Sequence, residues 1–200
     1  MTPMRRLLPV WFAIALVAAP EAGPPPDTFT SVGRIVAVGD VHGGYDEFVA
    51  ILRAARVIDG KHRWSGGRTH LVQTGDLVDR GAGSRQVMDL VMRLEGEARA
   101  AGGRVHALLG NHEVMNLTGD LRYTSPAEYA AFATSRSPEV RERAYATLAD
   151  PSRKDDPAYR EQWEREHPLG WVEHRAAFGP RGRYGQWIRQ HNAIVRIEVP

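Results

Sequence analysis

GDLVDRG, residues Gly75 to Gly81, is the middle member of three short polar loops that decide how this chain folds. GDVHGG precedes it at Gly39 to Gly44, and GNHE follows at Gly110 to Glu113. Each loop comes after an apolar run with the look of a strand: Ile35 to Val38, Leu71 to Gln73 and Val105 to Leu109. In open α/β sheets ligands bind outside the carboxyl ends of such strands, so the three loops are predicted to converge on one site.

Between the strands the apolar spacing turns helical. Tyr45 to Val57 places Phe48, Ile51, Leu52 and Ala55 on one face. Ser84 is placed to cap a second helix, whose Val87, Leu90, Val91 and Leu94 form a stripe before Gly102 and Gly103 end it. Met88 and Met92 read as core filler. The order is β-α-β-α-β, which predicts parallel strands joined by right-handed crossovers. Gly60 to Gly67 is a polar excursion whose WSGG reads as a turn between short strands, with His62 and His70 structural.

The loop residues are hard-oxygen and imidazole donors: Asp40 and His42, then Asp76 and Asp79, then Asn111 and His112. Carboxylate, amide oxygen and neutral imidazole together suit manganese, iron, zinc or magnesium. Asp40 and His42 lie two apart at a strand exit and can face the same way. Asp76, central in the set, is placed to bridge two ions. Two metals about 3.5 to 4 Å apart clamp and activate water for in-line attack on phosphorus.

GDVHG, GDLVDRG and GNHE resemble the signature of the calcineurin-like metallophosphoesterases. The DRG and NHE endings are similar to the phosphoprotein phosphatase branch, and VMNLTGDLRY at Val114 to Tyr123 resembles its bacterial Shewanella-like members. The resemblance implies an α/β fold of the metallophosphoesterase type: a β-sandwich flanked by helices, its β-α-β-α-β part present here, with a helical insert after the third loop. It implies that Asp40, His42 and Asp76 hold one metal and that Asp76 and Asn111 contribute to a second. It also implies that His112 protonates the leaving oxygen, that Asp79 orients His112, and that Arg80 grips phosphate. Manganese is the first expectation among the ions. The expected partner is a phosphorylated substrate, a phosphoprotein or small phosphoester, with a dinucleotide polyphosphate as the alternative.

Composition bounds these readings. Hydrophobic residues make up 42% of the 200, enough for a packed core in one domain with a small appendage. Only Lys61 and Lys154 among the 26 basic residues are lysine, and the formal net charge is +2. Arginine usage fits anion binding, but no dense basic run appears, so nucleic-acid binding is not expected. The absence of cysteine excludes disulfides, thiolate ligands and cysteine nucleophiles. Residues 1 to 22 read as a secretory signal, with Arg5 and Arg6 ahead of the apolar run Leu7 to Ala19. That run is too short for an ordinary span, so the expectation is a periplasmic or secreted protein with no stable span after cleavage; the alternative is an uncleaved anchor. Residues 23 to 33, with PPP at Pro24 to Pro26, read as a stiff spacer before a core at 34 to 123.

Beyond Tyr123 the chain becomes charged, aromatic and helical, an insert over 124 to 190. Start signals at Ser125-Pro126, Ser137-Pro138 and Asp156-Pro157 predict helices over 126 to 133, 138 to 149 and 157 to 166. Trp171, Phe178, Tyr184 and Trp187 are predicted to pack on the main body. Arg136, Arg141, Arg143 and Arg175 either meet a phosphorylated substrate or lie on solvated faces. Two later histidine motifs that the resemblance calls for, and a second phosphate-binding arginine, have no counterpart here. Ala193 to Val199 reads as a strand from the second sheet, predicted to be an unpaired edge. The chain is therefore expected to be part of a longer enzyme, and an inactive metal-binding remnant is the competing reading.

Overall fold

The computed structural model describes residues 25 to 200; the signal segment at 1 to 22 lies outside the described residues. Its centre is a three-stranded parallel sheet in the order β2 (Ile35–Val38), β3 (His70–Gln73), β4 (Arg104–Ala107). The register aligns Ile35, His70 and Arg104 at one end and Val38, Gln73 and Ala107 at the other. The crossovers are α1 (Tyr45–Ala54) and α2 (Ser84–Ala100), the β-α-β-α-β order that the apolar spacing predicts.

Both helices bury the faces that their spacing picks out. Phe48, Val49 and Leu52 from α1 meet Val87, Met88, Leu90, Val91 and Leu94 from α2 in one core with Val38, Leu71 and Val105 of the sheet. Each such side chain, fully buried, contributes about 1.5 to 3 kcal/mol, and this layer fixes the strand ends from which the loops project. Ile51, expected on the buried face, is exposed. Helix α1 also stops three residues early. Arg56 turns left-handed at φ 53°, and the Val57 amide reaches back to the Leu52 carbonyl at 2.8 Å, which ends the helix and drops Val57 into the core.

Ser84 does not cap α2. The N-cap is Gly83, and the Ser84 hydroxyl instead accepts the Asp79 amide at 3.1 Å, so it serves the second loop. The WSGG turn lies beside a single antiparallel bridge, Ile58 to Trp64, rather than between strands.

The later helices are α3 (Asn111–Thr118), α4 (Pro126–Ala130), α5 (Ser137–Leu148), α6 (Pro157–Glu166), α7 (Trp171–Phe178) and α8 (Arg183–Ile188). Helix α4 is three residues shorter than its start signal suggested, and Phe132 beyond it is buried in the main core. Phe178, Tyr184 and Ile188 join that core too. Helix α8 is pinned to α2 by Tyr184 donating to Asp89 at 2.9 Å and Trp187 donating to Glu95 at 2.8 Å. Among the described residues no helix is long and apolar enough to cross a membrane.

The strand expected over Ala193 to Val199 shrinks to β5 (Arg196–Ile197), and it is not unpaired. It runs parallel to β1 (Thr28–Phe29), a strand inside the stretch read as spacer. Amides of Arg196, Glu198 and Val32 complete the ladder through Asp27, Phe29 and Glu198 carbonyls at 2.7 to 3.1 Å. Two-residue strands carry too little pattern to be seen in sequence. Ile194 and Val199, on either side, remain exposed.

Candidate metal centre

The three loops meet because their backbones are bonded to one another. Val41 and His42 amides both donate to the Asp76 carbonyl at 2.9 Å, Gly43 donates to Leu77, and Gly81 donates to His42, each at 2.9 Å. A side chain at Gly43 would run into the Gly81 backbone, and one at Gly75, where φ is +102°, would run into Gly110. His42, Asp76, Asp79 and Arg80 all sit in the left-handed region, at φ 48° to 69°. For His and Arg that conformation is sparsely populated, and such residues cost about 1 to 3 kcal/mol each unless the surroundings hold them.

Glu113 does much of that holding. Its buried carboxylate accepts from the amides of Asp76 and Leu77 at 2.8 Å and of Gly110 at 2.9 Å, joining the second loop to the third. Burial pushes this carboxyl above its ordinary range, and the three N–H donors oppose that shift. In sequence Glu113 is visible only as the last letter of GNHE, at the third position of α3 where a glutamate reaches back to the N-cap.

Two imidazoles are oriented by their inner nitrogens. His42 Nδ1 lies 3.0 Å from the Val78 carbonyl, an acceptor, so Nδ1 carries the hydrogen and Nε2 keeps its lone pair. That Nε2 is buried without a hydrogen-bond partner. His112 Nδ1 lies 2.8 Å from Asp79 Oδ2, which likewise leaves Nε2 outward, 3.4 Å from an Arg80 guanidinium nitrogen. The rings of His42 and His112 meet edge to face at 4.6 Å.

Asp79 is fully buried and fully bonded. Besides His112 it accepts Asn116 Nδ2 at 3.0 Å and the Thr124 hydroxyl at 2.8 Å. Neither Asn116 nor Thr124 was singled out in the sequence, and both lie in the VMNLTGDLRY stretch or one residue past it.

His42, Asp76 and His112 each offer a ligand atom, and the three atoms lie within 4.8 Å of one another. Asp40 stands at the rim, its carboxylate exposed and 3.6 Å from His42 Nε2. Asn111 is the outlier of the predicted set: it is exposed, and its amide nitrogen turns to Met115 Sδ at 3.8 Å. A lone pair buried without a partner, beside carboxylate oxygens, fits a divalent cation of the harder first-row kind. Of the four insert arginines, Arg141 is taken up by Glu164 at 3.2 Å and Arg175 lies against Gly119.

The fold and this centre define an α/β protein with a candidate metal site at the carboxyl ends of parallel strands. More narrowly, the chain belongs to the calcineurin-like phosphoesterase family, whose profile matches residues 33 to 185. That family implies divalent metal ions, and the resemblance read from the three loops is borne out. Shewanella-like protein phosphatase 2 of Arabidopsis thaliana is 40% identical over 97 residues, 48% of this chain and 25% of that protein. Symmetrical bis(5'-nucleosyl)-tetraphosphatase of Cronobacter sakazakii is 40% identical over 77 residues, 38% of this chain and 22% of that one. Among solved structures, the cold-active protein-tyrosine phosphatase of a psychrophilic Shewanella species has 31% identity and a TM-score of 0.61, covering 88% of this chain and 42% of its own. The mixed α/β architecture with parallel strands flanked by helices is shared with it. The matched stretches cover less than half of each of these three proteins.

Proposed function

We propose that the protein is a metal-dependent phosphoric monoester hydrolase with two divalent ions, manganese first, and iron, zinc or magnesium as substitutes. Asp40, His42 and Asp76 would hold one ion, and Asp76 with Asn111 would contribute to the other. The observation that carries this reading is the buried, unpartnered Nε2 of His42 beside the Asp76 carboxylate. Bound ions of this kind lower the pKa of water toward about 7 and polarise a phosphoryl oxygen.

The chain's own side chains supply the rest. Arg80 presents a guanidinium fork that matches two phosphoryl oxygens. Because His112 Nε2 lies beside it, a phosphoryl group gripped by Arg80 sets its ester oxygen within reach of that nitrogen. As water's oxygen bonds to phosphorus and the ester P–O bond breaks, protonated His112 gives its Nε2 hydrogen to the departing oxygen. Asp79, with no exposure and three donors around it, keeps the ring from rotating and leaves Nε2 facing the site. Replacing Asp76 with Asn is expected to abolish manganese-dependent release of p-nitrophenol from its phosphate; full retention would contradict a part for Asp76 in holding metal.

A phosphoprotein is the first substrate reading, supported by the DRG and NHE endings and by the phosphatase relatives. The tetraphosphatase relative supports a dinucleotide polyphosphate instead, and a panel holding both substrates separates the two. A metal-binding remnant is the third reading: it would hold at most one ion per chain and turn over nothing. The run Leu7 to Ala19 supports export, tested by fractionating cells that make the full sequence.

A further inference from the structure

The loops occupy the carboxyl ends of β2, β3 and β4; four arginines gather at the amino ends. Arg34 stands one residue before β2, Arg68 two before β3, Arg104 opens β4, and Arg99 lies in the last turn of α2. The parallel register, with Ile35, His70 and Arg104 abreast, stacks these positions side by side. They line one half-open cavity of about 710 Å³ together with residues 30 to 33, Gly102 and Gly103. That volume is in the range of small-molecule sites. No aspartate or glutamate lines it.

Nine of the described arginines pair with carboxylates, Arg63, Arg93, Arg122, Arg141, Arg153, Arg160, Arg165, Arg183 and Arg196, while others outside the cavity, such as Arg53, Arg85 and Arg189, stand apart from any. Among the described residues the four at the cavity pair with none either. Two of them are held by neutral groups instead. Arg34 donates to the Thr69 hydroxyl at 2.9 Å and the Ala55 carbonyl at 2.5 Å, and the Arg104 guanidinium lies 4.8 Å over the Phe29 ring. Such contacts fix where the charge points without cancelling it. His70, on the cavity wall, registers the field: burial first, and then the Arg104 charge, hold its imidazole below the ordinary range.

Four like charges lining one hollow repel one another, and a multiply charged anion offsets that repulsion. Guanidinium matches the geometry of phosphate oxygens, and four of them call for more charge than one phosphate carries. We propose that this cavity binds an oligophosphate, either as a free chain or as the phosphate chain of a nucleotide. Roughly 10 Å of strand separates it from the metal loops, so the proposal does not rest on the activity assigned to them.

The test is calorimetric titration of the protein, in chelator, with tripolyphosphate, a nucleoside triphosphate and the bare nucleoside. The comparison variants are Arg68→Ala/Arg99→Ala, whose side chains are exposed, and Asp76→Asn; thermal melts check that each is folded. The expected result is one saturable site for tripolyphosphate, unchanged in Asp76→Asn and weakened about tenfold or more in the double arginine variant. Equal affinity for the nucleotide and tripolyphosphate, with none for the nucleoside, assigns recognition to the phosphates alone; tighter nucleotide binding assigns the base a share. Wild-type affinity in the double arginine variant, loss of binding in Asp76→Asn, or no binding by the wild type would each overturn the proposal.

Discussion

The loop cluster and the outer helix pair α5–α6 are built on opposite principles. In the loops, buried polar groups bond across three segments far apart in sequence, and four side-chain-bearing residues are held in left-handed conformations. In the outer pair a small cluster of Tyr145, Ala149 and Trp163 is ringed by ion pairs at the surface, Arg160 with Glu142 and Glu164, Arg141 with Glu164 and Arg165 with Glu161. Exposed pairs contribute between about 0 and 1 kcal/mol each, whereas a buried donor stripped of its acceptor costs about 1 to 3. The loops are therefore over-determined where they must be strained, and the outer pair is held mainly by one indole.

The largest effect falls on Glu113. Glu113→Ala leaves the amides of Asp76, Leu77 and Gly110 buried without an acceptor and is expected to destabilise the protein by roughly 5 kcal/mol, with loss of metal binding. Chemical denaturation and metal titration measure both; a variant that keeps wild-type stability would show that the loops do not depend on this stitch. Trp163→Ala comes next, at about 3 to 4 kcal/mol, but confined to the outer pair. Hydrogen exchange should rise in α5 and α6 while metal affinity stays unchanged, and a parallel fall in metal affinity would mean that the two regions are coupled.

A further acid response lies outside both regions, in the histidine pair at the other end of the sheet. His106 is pushed down to about 4, by burial first and then by the charges of His70 and Arg104, and it lies 3.0 Å from His70 beneath Phe29. Its folded value is below the unfolded one of 6.5, so its contribution is fully present above about pH 6.5 and is lost as pH falls toward 4. Melting temperature should drop across that window, and His106→Gln should flatten the drop. The smallest effect is Arg160→Ala, below about 1 kcal/mol and erased by salt, despite its two carboxylate partners.

What the sequence made legible follows from distance along the chain. Apolar period and glycine punctuation are local, so β2, β3, β4, α1, α2 and the order of the loops could be read directly. Asp79 beside His112 needed the family resemblance, since 33 residues part them. Roles that depend on a fold-made neighbour stayed hidden: Ser84 bonding Asp79 instead of capping, Asn116 and Thr124 on the same carboxylate, and β1, whose two residues look like spacer until β5 arrives. The arginine cavity is hidden for the same reason. A search for basic runs looks along one segment, and these four are gathered from three stretches of chain, around residues 34, 68 and 99 to 104.

The β1–β5 ribbon fastens the first described strand to the last. As the chain leaves the ribosome, β2, β3 and β4 with their loops can close while Thr28 and Phe29 still wait for Arg196 and Ile197 to be made. Among the described residues, the segments that carry Asp40, His42, Asp76 and His112 are thus all synthesised before the strand that pairs with β1.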